Sequence, residues 1–445
     1  MEQLSVAVVT LGCAKNSVDS EIMQNILQQN EYRMEQDLEC ADVIIVNTCG
    51  FIEAAKQESI NMILDLSDLK DKGALKTLIV AGCLAQRYKD ELMQEIPEID
   101  GIVGTGDFQK IHSIITDSVA GLKPVHTGHL DVSYEEFTSF YENRQTGSSA
   151  FVKIAEGCNN FCTFCIIPQL RGEYRSRTID SIYEETRILA KNGTKEVNLI
   201  AQDTSMYGYD IYGKAMLSEL LKKLHTIEDI EWIRILYLYP GNVDDELIQT
   251  IANYPKICKY IEMPLQHSEN RILKLMNRPS QQLDIRRLID KIRQAVPDIV
   301  IRTTMIVGFP QESEADFRQL VQFIRDVRFD RMGVFPYSLE EGTAAARLQG
   351  QIDQSIKEQR AHEIMEIQRE LTEVSNRRLV GTVQSVLIER VEDDHTYVGR
   401  TQYDAPEIDS EVFITSDTPL LIGDIIPIKI THVLDFDMTG EVFTC

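Results

Sequence analysis

Short apolar runs alternate with amphipathic stretches over the first 121 residues. Val6-Ala7-Val8-Val9, Val43-Ile44-Ile45-Val46 and Leu78-Ile79-Val80 read as buried strands, with a weaker run at Ile102-Val103. Between them, residues 19–29, 53–66 and 86–95 carry helical spacing. This β-α-β-α order predicts a parallel sheet with helices on both faces, because parallel neighbours need a crossover connection. Ser17, Asp19 or Ser20 is expected to cap the first helix, with Glu21 in its first turn. Residues 122–149 lose the periodicity and carry Pro124, Gly128, Gly147, Ser148 and Ser149, the composition of a linker.

The alternation resumes at 150. Strand candidates at 151–154, 196–201, 232–238, 260–263, 300–307 and 332–335 are separated by helical patterns. Six βα units predict an open, partial version of the eightfold barrel, with chemistry at the carboxyl ends of its strands. A long charged helix at 353–378 closes this region. After Leu379 the helical period stops. Five short strand patterns, at 383–388, 396–400, 411–415, 425–432 and 440–443, predict a small antiparallel β-barrel of OB-like type. The expected fold class is therefore α/β. It comprises an N-terminal parallel α/β sheet domain (1–121), a linker (122–149), a central partial (βα)6 barrel (150–378) and the small C-terminal barrel (379–445).

Charge narrows the partners. The 445 residues carry 70 acidic and 45 basic side chains, for a net charge of −25. Such a chain is poorly suited to broad nucleic-acid binding, which needs basic surface to displace counterions. The last 67 residues are the most one-sided, with thirteen acidic residues against Arg390, Arg400 and Lys429. A module of that kind suits docking on a basic protein, or plain solubility. There is no signal-peptide pattern and no apolar run of membrane-spanning length. Nine cysteines, an odd number, point away from a disulfide framework and toward the reducing cytoplasm.

The cysteines carry the chemistry. Cys158, Cys162 and Cys165 are spaced C-x3-C-x2-C. Three thiolates so close can hold three irons of a 4Fe–4S cluster and leave the fourth iron open, since soft sulfur ligands suit iron–sulfur clusters. A structural zinc site is the plainer alternative, but it would want a fourth Cys or His nearby. Cys13, Cys49 and Cys83 each follow a predicted strand and each stand beside a glycine. At the carboxyl edge of a parallel sheet they converge, and the glycines would let the backbone approach a bulky ligand. A single such cysteine is most simply a small buried residue. Three at equivalent strand ends favour a second three-ligand cluster. Cys40 precedes its strand and is excluded. Gln202 and Gly308 stand at other strand ends. Arg171, Arg175 and Arg177, just past the cysteine loop, would hold an anion or form a solvated face.

These features resemble a known family. The Cys158-x3-Cys162-x2-Cys165 motif, with Phe164 before its last cysteine, resembles the signature of radical S-adenosylmethionine (SAM) enzymes. Cys13, Cys49 and Cys83 upstream, with a small barrel (TRAM) domain downstream, look like the methylthiotransferase branch. That branch modifies either adenosine in transfer RNA or an aspartate of a small-subunit ribosomal protein. The stretches 11–21, 46–52 and 399–409 resemble the ribosomal-protein enzymes, and Asp404-Ala405-Pro406-Glu407-Ile408-Asp409 is the most specific of them. Asn159-Asn160 in the cysteine loop does not discriminate.

The resemblance implies two 4Fe–4S clusters and SAM as cofactors, with Gln202 and Gly308 as SAM contacts. It implies reductive cleavage of one SAM at the open iron of Cys158, Cys162 and Cys165, and abstraction of a hydrogen from the aspartate β-carbon. The Cys13, Cys49 and Cys83 cluster would carry the inserted sulfur, methylated by a second SAM. The implied partners are a basic ribosomal protein, free or on the assembled subunit, and an electron donor such as flavodoxin or ferredoxin. No membrane and no direct nucleic-acid substrate are expected. The alternatives are a transfer-RNA adenosine methylthiotransferase, a two-cluster electron carrier and a zinc-stabilised ribosome-binding protein.

Overall fold

A computed structural model of the chain describes residues 3–73, 75–128, 130, 144, 147–278 and 282–443. The N-terminal sheet has strands β1 (Ser5–Thr10), β2 (Arg33–Met34), β3 (Val43–Thr48), β4 (Thr77–Ala81), β5 (Gly101–Val103) and β6 (Val125–His126) in the order β2-β1-β3-β4-β5-β6. All its pairings are parallel. β3 and β4 are buried along their whole length, which is why they read as unbroken apolar runs. The two edge strands have two residues each, too few to leave a periodic signal. β6 falls inside the expected linker, most of which (129, 131–143 and 145–146) lies outside the described residues.

Helix α1 (Ala14–Gln29) begins earlier than its composition suggests. Cys13 is its N-cap, in extended backbone, and makes no side-chain cap bond. Asp19, expected as a cap, is buried inside the helix and pairs with Lys153. A buried cation outbids the capping role, because an unpaired charge in the interior is costly.

The central strands are β7 (Ser149–Lys153), β8 (Ala155–Glu156), β9 (Arg175–Ser176), β10 (Glu196–Ile200), β11 (Trp232–Ile235), β12 (Tyr260–Glu262), β13 (Val300–Val307) and β14 (Arg331–Pro336). The six expected strands form two three-stranded sheets, β11-β10-β7 and β12-β13-β14, with a single parallel bridge, Ile233 to Ile257, at the junction. β8 and β9 are a short antiparallel pair that brackets the cysteine loop.

The last module is a closed barrel in the order β15-β16-β17-β19-β18, built from Val383–Val391, Thr396–Thr401, Val412–Thr415, Ile425–Leu434 and Asp437–Val442 in chain order. One detail departs from the expected antiparallel barrel: β17 and β19 pair in parallel, the seam that closes the sheet on itself. Val386, Ile388, Val412, Ile414, Ile428, Ile430 and Met438 fill its interior.

The chain divides into two compact units. One holds Met1–Gln145, Lys153–Glu185 and Ser338–Ala346; the other holds Thr146–Val152, Thr186–Tyr337 and Arg347–Cys445. Both cysteine sets belong to the first unit. In the second, the small barrel is held to the central strands by buried ion pairs. Arg400 Nη2 donates to Glu196 Oε2 at 2.6 Å and Glu389 Oε1 at 2.7 Å. Arg331 Nη2 donates to Asp404 Oδ1 at 2.7 Å, while Arg302 Nε and Tyr260 Oη donate to Asp409 at 3.1 and 2.6 Å. Arg234 reaches both Glu196 and the carbonyl of Gln402. The 404–409 stretch is thus a clasp within this unit. Its two aspartates turn inward, whereas Asp393, Asp394, Glu407, Asp417, Asp424 and Asp435 remain exposed.

Burial alone would raise the Glu196 carboxyl, but Arg400 and Arg234 override it and lower it from 4.5 to about 2. A lowered folded-state value stabilises the fold above pH 4.5, and that stabilisation is lost as pH falls toward 2. The window corresponds to on the order of 3 kcal/mol. Glu196→Gln is expected to lower the thermal midpoint at pH 7, since breaking a buried pair costs about 3–5 kcal/mol. It should also flatten the decline between pH 4.5 and pH 3, read by calorimetry of the two proteins. Equal acid slopes would contradict this account of Glu196.

Candidate functional site

Adjacent parallel strands bring the upstream cysteines together. Cys13 follows β1, Cys49 follows β3, and Cys83 lies in the first turn of the helix Gly82–Arg87 after β4. The neighbouring glycines have a more specific role than ligand approach. A Cβ on Gly12 would lie 2.7 Å from Cys49 Cβ and 3.2 Å from its Sγ, and one on Gly50 would lie 2.9 Å from the Cys83 backbone. The three loops therefore pack against one another. Asn16 ties two of them, donating to the carbonyls of Leu11 at 2.9 Å and Thr48 at 3.0 Å. Ser59 Oγ accepts from the Cys49 amide at 3.1 Å.

Cys49 and Cys83 are buried; Cys13 is exposed. Burial, with smaller contributions from Cys83 and Cys13, pushes the Cys49 thiol up to about 12. Burial also raises the Cys83 thiol, against the opposing charge of Arg171. Left alone these thiols stay protonated. A metal group that replaces the protons supplies positive charge directly at the sulfurs.

The downstream cysteines share one loop. It opens at Gly157, φ +82°, where a Cβ would fall 2.0 Å from the carbonyl oxygen of Glu173, so no other residue fits. The Cys158 amide donates to the Gly172 carbonyl at 3.2 Å, and the Cys165 amide to the Cys162 carbonyl at 3.0 Å. Ala345 donates to Thr163 at 2.8 Å. Asn159 Oδ1 accepts from the Tyr174 amide at 3.1 Å, so this asparagine braces the loop. All three cysteines are half-buried, and Phe161 beside them is exposed. Cys83 packs in a small apolar cluster with Leu170 and with Ile166, the residue after Cys165.

Arg171 and Arg177 form no solvated face, while Arg175 is half-buried and donates to the carbonyls of Glu173 and Arg171. Arg171 and Arg177 are buried. Arg171 pairs with Asp19 and Glu156, and Arg177 with Glu185, which also takes Arg144. Nothing in the sequence points to Asn16 or Glu156 here, and Asp19 reads there only as a helix cap, although a lysine inside the apolar strand Phe151-Val152-Lys153-Ile154 is the signal of a buried charge in need of partners. Gln202 and Gly308 belong to the other unit, at the ends of β10 and β13. Gly308 has φ +71° and donates to Glu312 Oε2 at 2.8 Å, and a Cβ there would stand 2.3 Å from the Lys357 stem.

Three thiols at neighbouring strand ends, with a guanidinium beside one of them, fit an anionic iron–sulfur group. Among the described residues no three His, Cys, Asp or Glu side chains close to the spacing of a single metal ion, which a Zn–S bond of about 2.3 Å would demand. No described helix is long and apolar enough to cross a membrane.

Known proteins agree with this layout. The description "Uncharacterized protein family UPF0004" matches residues 5–104, the radical SAM superfamily residues 152–324 and the TRAM domain residues 380–443. The ribosomal protein uS12 methylthiotransferase RimO of Clostridioides difficile (strain 630) is 49% identical over 439 residues, covering 99% of each chain. The enzyme of the same name from Acetivibrio thermocellus is 47% identical over 444 residues, covering 98% of each. Among solved structures, the radical SAM methyltransferase TsrM from Kitasatospora setae superposes with a TM-score of 0.54 at 14% identity, covering 75% of each chain. That likeness concerns the fold.

Proposed function

Because the chain belongs to the ribosomal protein uS12 methylthiotransferase family, we propose that it adds a methylthio group to the β-carbon of an aspartate in that ribosomal protein. One SAM serves as methyl donor and another as radical source. The observation that carries this reading is the presence of two three-cysteine sets in one compact unit, joined through the contact of Cys83 with Ile166.

Bound at Cys158, Cys162 and Cys165, a 4Fe–4S cluster would supply the electron that cleaves SAM, and bound at Cys13, Cys49 and Cys83 a second would supply the site for the sulfur. The chain's own residues prepare both places. The Gly157 turn and the Asn159 brace hold the downstream loop open, with each cysteine partly accessible to a small ligand. Cys49 and Cys83 hold the buried flank of the sulfur-bearing set, and Cys13 its exposed flank, from which substrate would approach. Gln202 and Gly308 are proposed SAM contacts. The exposed acids of the last barrel suit a basic protein substrate, free or on the assembled subunit. A flavodoxin or ferredoxin would deliver electrons, in the cytoplasm.

Mass spectrometry of uS12 from cells with and without this chain tests the reading. A methylthio mass increment on one aspartate, absent only when the chain is absent, is expected. An unmodified uS12 in both strains, with loss of a methylthio group from transfer RNA instead, would overturn it in favour of the nucleic-acid branch.

A further inference from the structure

Among the described residues, Arg171 is the guanidinium that touches a cysteine of the upstream set. Its Nη2 lies 3.6 Å from Cys83 Sγ and 2.6 Å from Asn16 Oδ1. Its Nη1 lies 2.9 Å from Asp19 Oδ2 and 3.1 Å from Glu156 Oε2. The side chain is 2% exposed. Asn16 is itself fixed by its bonds to the carbonyls of Leu11 and Thr48. Lys153 Nζ sits between the same two carboxylates, 2.8 Å from Glu156 Oε2. Arg171 and Lys153 are then balanced by Asp19 and Glu156, before any charge on Cys83 is counted.

The placement is directional. Arg171 ends the helix Ile167–Arg171 that follows Cys165, and Glu156 precedes the Gly157 turn. One planar group therefore spans both flanks of the downstream loop and the sulfur of the upstream set. Only arginine offers donors on two sides of a rigid fork; lysine would supply a point charge to one side. A hydrogen bond from a cation to a thiolate stabilises negative charge there, and hydrogen bonds to cluster sulfurs are among the features that set reduction potential.

We propose that Arg171 sets the reduction potential of the cluster held by Cys13, Cys49 and Cys83, through its charged N–H bond to the Cys83 sulfur. This rests on the assignment of those cysteines as ligands. Reduction adds negative charge, so the neighbouring guanidinium favours the reduced form. Asp19, on the far side of the same guanidinium, disfavours it.

The test is an EPR-monitored redox titration of the full chain in which Cys158, Cys162 and Cys165 are all alanine, leaving one cluster. Removing a charged hydrogen bond should lower the reduction equilibrium constant on the order of tenfold, about 59 mV for one electron. Arg171→Gln should shift the midpoint negative by that amount. Asp19→Asn should shift it positive. A merely structural role for Arg171 would move both variants alike or neither. Should Arg171→Gln not fold, Arg171→Lys, which keeps the charge and loses the fork, is expected to show a smaller negative shift with an altered EPR line shape. Bound iron with an unchanged midpoint in these Arg171 variants overturns the inference and leaves the ligand assignment standing. A triple-alanine chain that binds no iron overturns the ligand assignment and this inference with it.

Discussion

Anaerobically reduced Cys162→Ala protein is expected to release no 5′-deoxyadenosine from SAM. The loop that carries Cys162 is shaped by its backbone: the Gly157 turn, the Cys158 amide on Gly172, the Cys165 amide on the Cys162 carbonyl and the Ala345 amide on Thr163. None of these contacts uses the Cys162 side chain. Alanine therefore preserves the loop and removes one sulfur. Loss of a partner that merely orients a metal ligand costs about 10–100-fold, and loss of the ligand itself should exceed this, putting cleavage at least about a hundredfold below the parent. The readout is deoxyadenosine released per chain after reduction with dithionite. Release at the parent rate would show that Cys158, Cys162 and Cys165 do not form the radical site.

The second large effect separates the two sets. Cys49→Ala should retain deoxyadenosine release and lose methylthio product entirely. Cys49 is 9% exposed and stacks its Cβ against Gly12, a contact alanine keeps. The Ser59 hydroxyl bonds to the Cys49 backbone and is equally untouched. What disappears is the central thiol of the upstream three. Product analysis of uS12 by mass spectrometry, run beside the cleavage assay, distinguishes the outcomes. Methylthiolated uS12 at the parent level would remove Cys49 from the sulfur-bearing site. Loss of both activities would show that the upstream set supports cleavage as well.

Much of this site could be read from the chain. The three unbroken apolar runs became β1, β3 and β4; β3 and β4 are buried on both faces and so have no polar face to interrupt them. With the strands placed, Cys13, Cys49 and Cys83 had to converge. The C-x3-C-x2-C loop needed no folding argument. The charges around the cysteines were harder. Arg171 and Arg177 look like surface residues in a list of letters, and only the tertiary structure brings Asp19, Glu156 and Glu185 to them. The same holds for Asp404 and Asp409. Their neighbourhood is the most family-specific stretch of the chain, and its acidity suggested a face for a basic substrate. In the structure both carboxylates are consumed by Arg331 and Arg302. Ion pairs between residues from 8 to 152 positions apart leave no period and no motif at either end.

That clasp bears on how this architecture can be recombined. The C-terminal barrel begins as a distinct pattern at Leu379 and looks like a detachable cassette. Half of its fastening lies elsewhere, in Glu196, Arg234, Tyr260, Arg302 and Arg331. A chimera that exchanged 379–445 alone for a barrel lacking Asp404 and Asp409 would strand Arg302 and Arg331 as buried cations without their carboxylates, the costly way to break such pairs. Exchanging the barrel on this scaffold means moving it and its docking face as one piece.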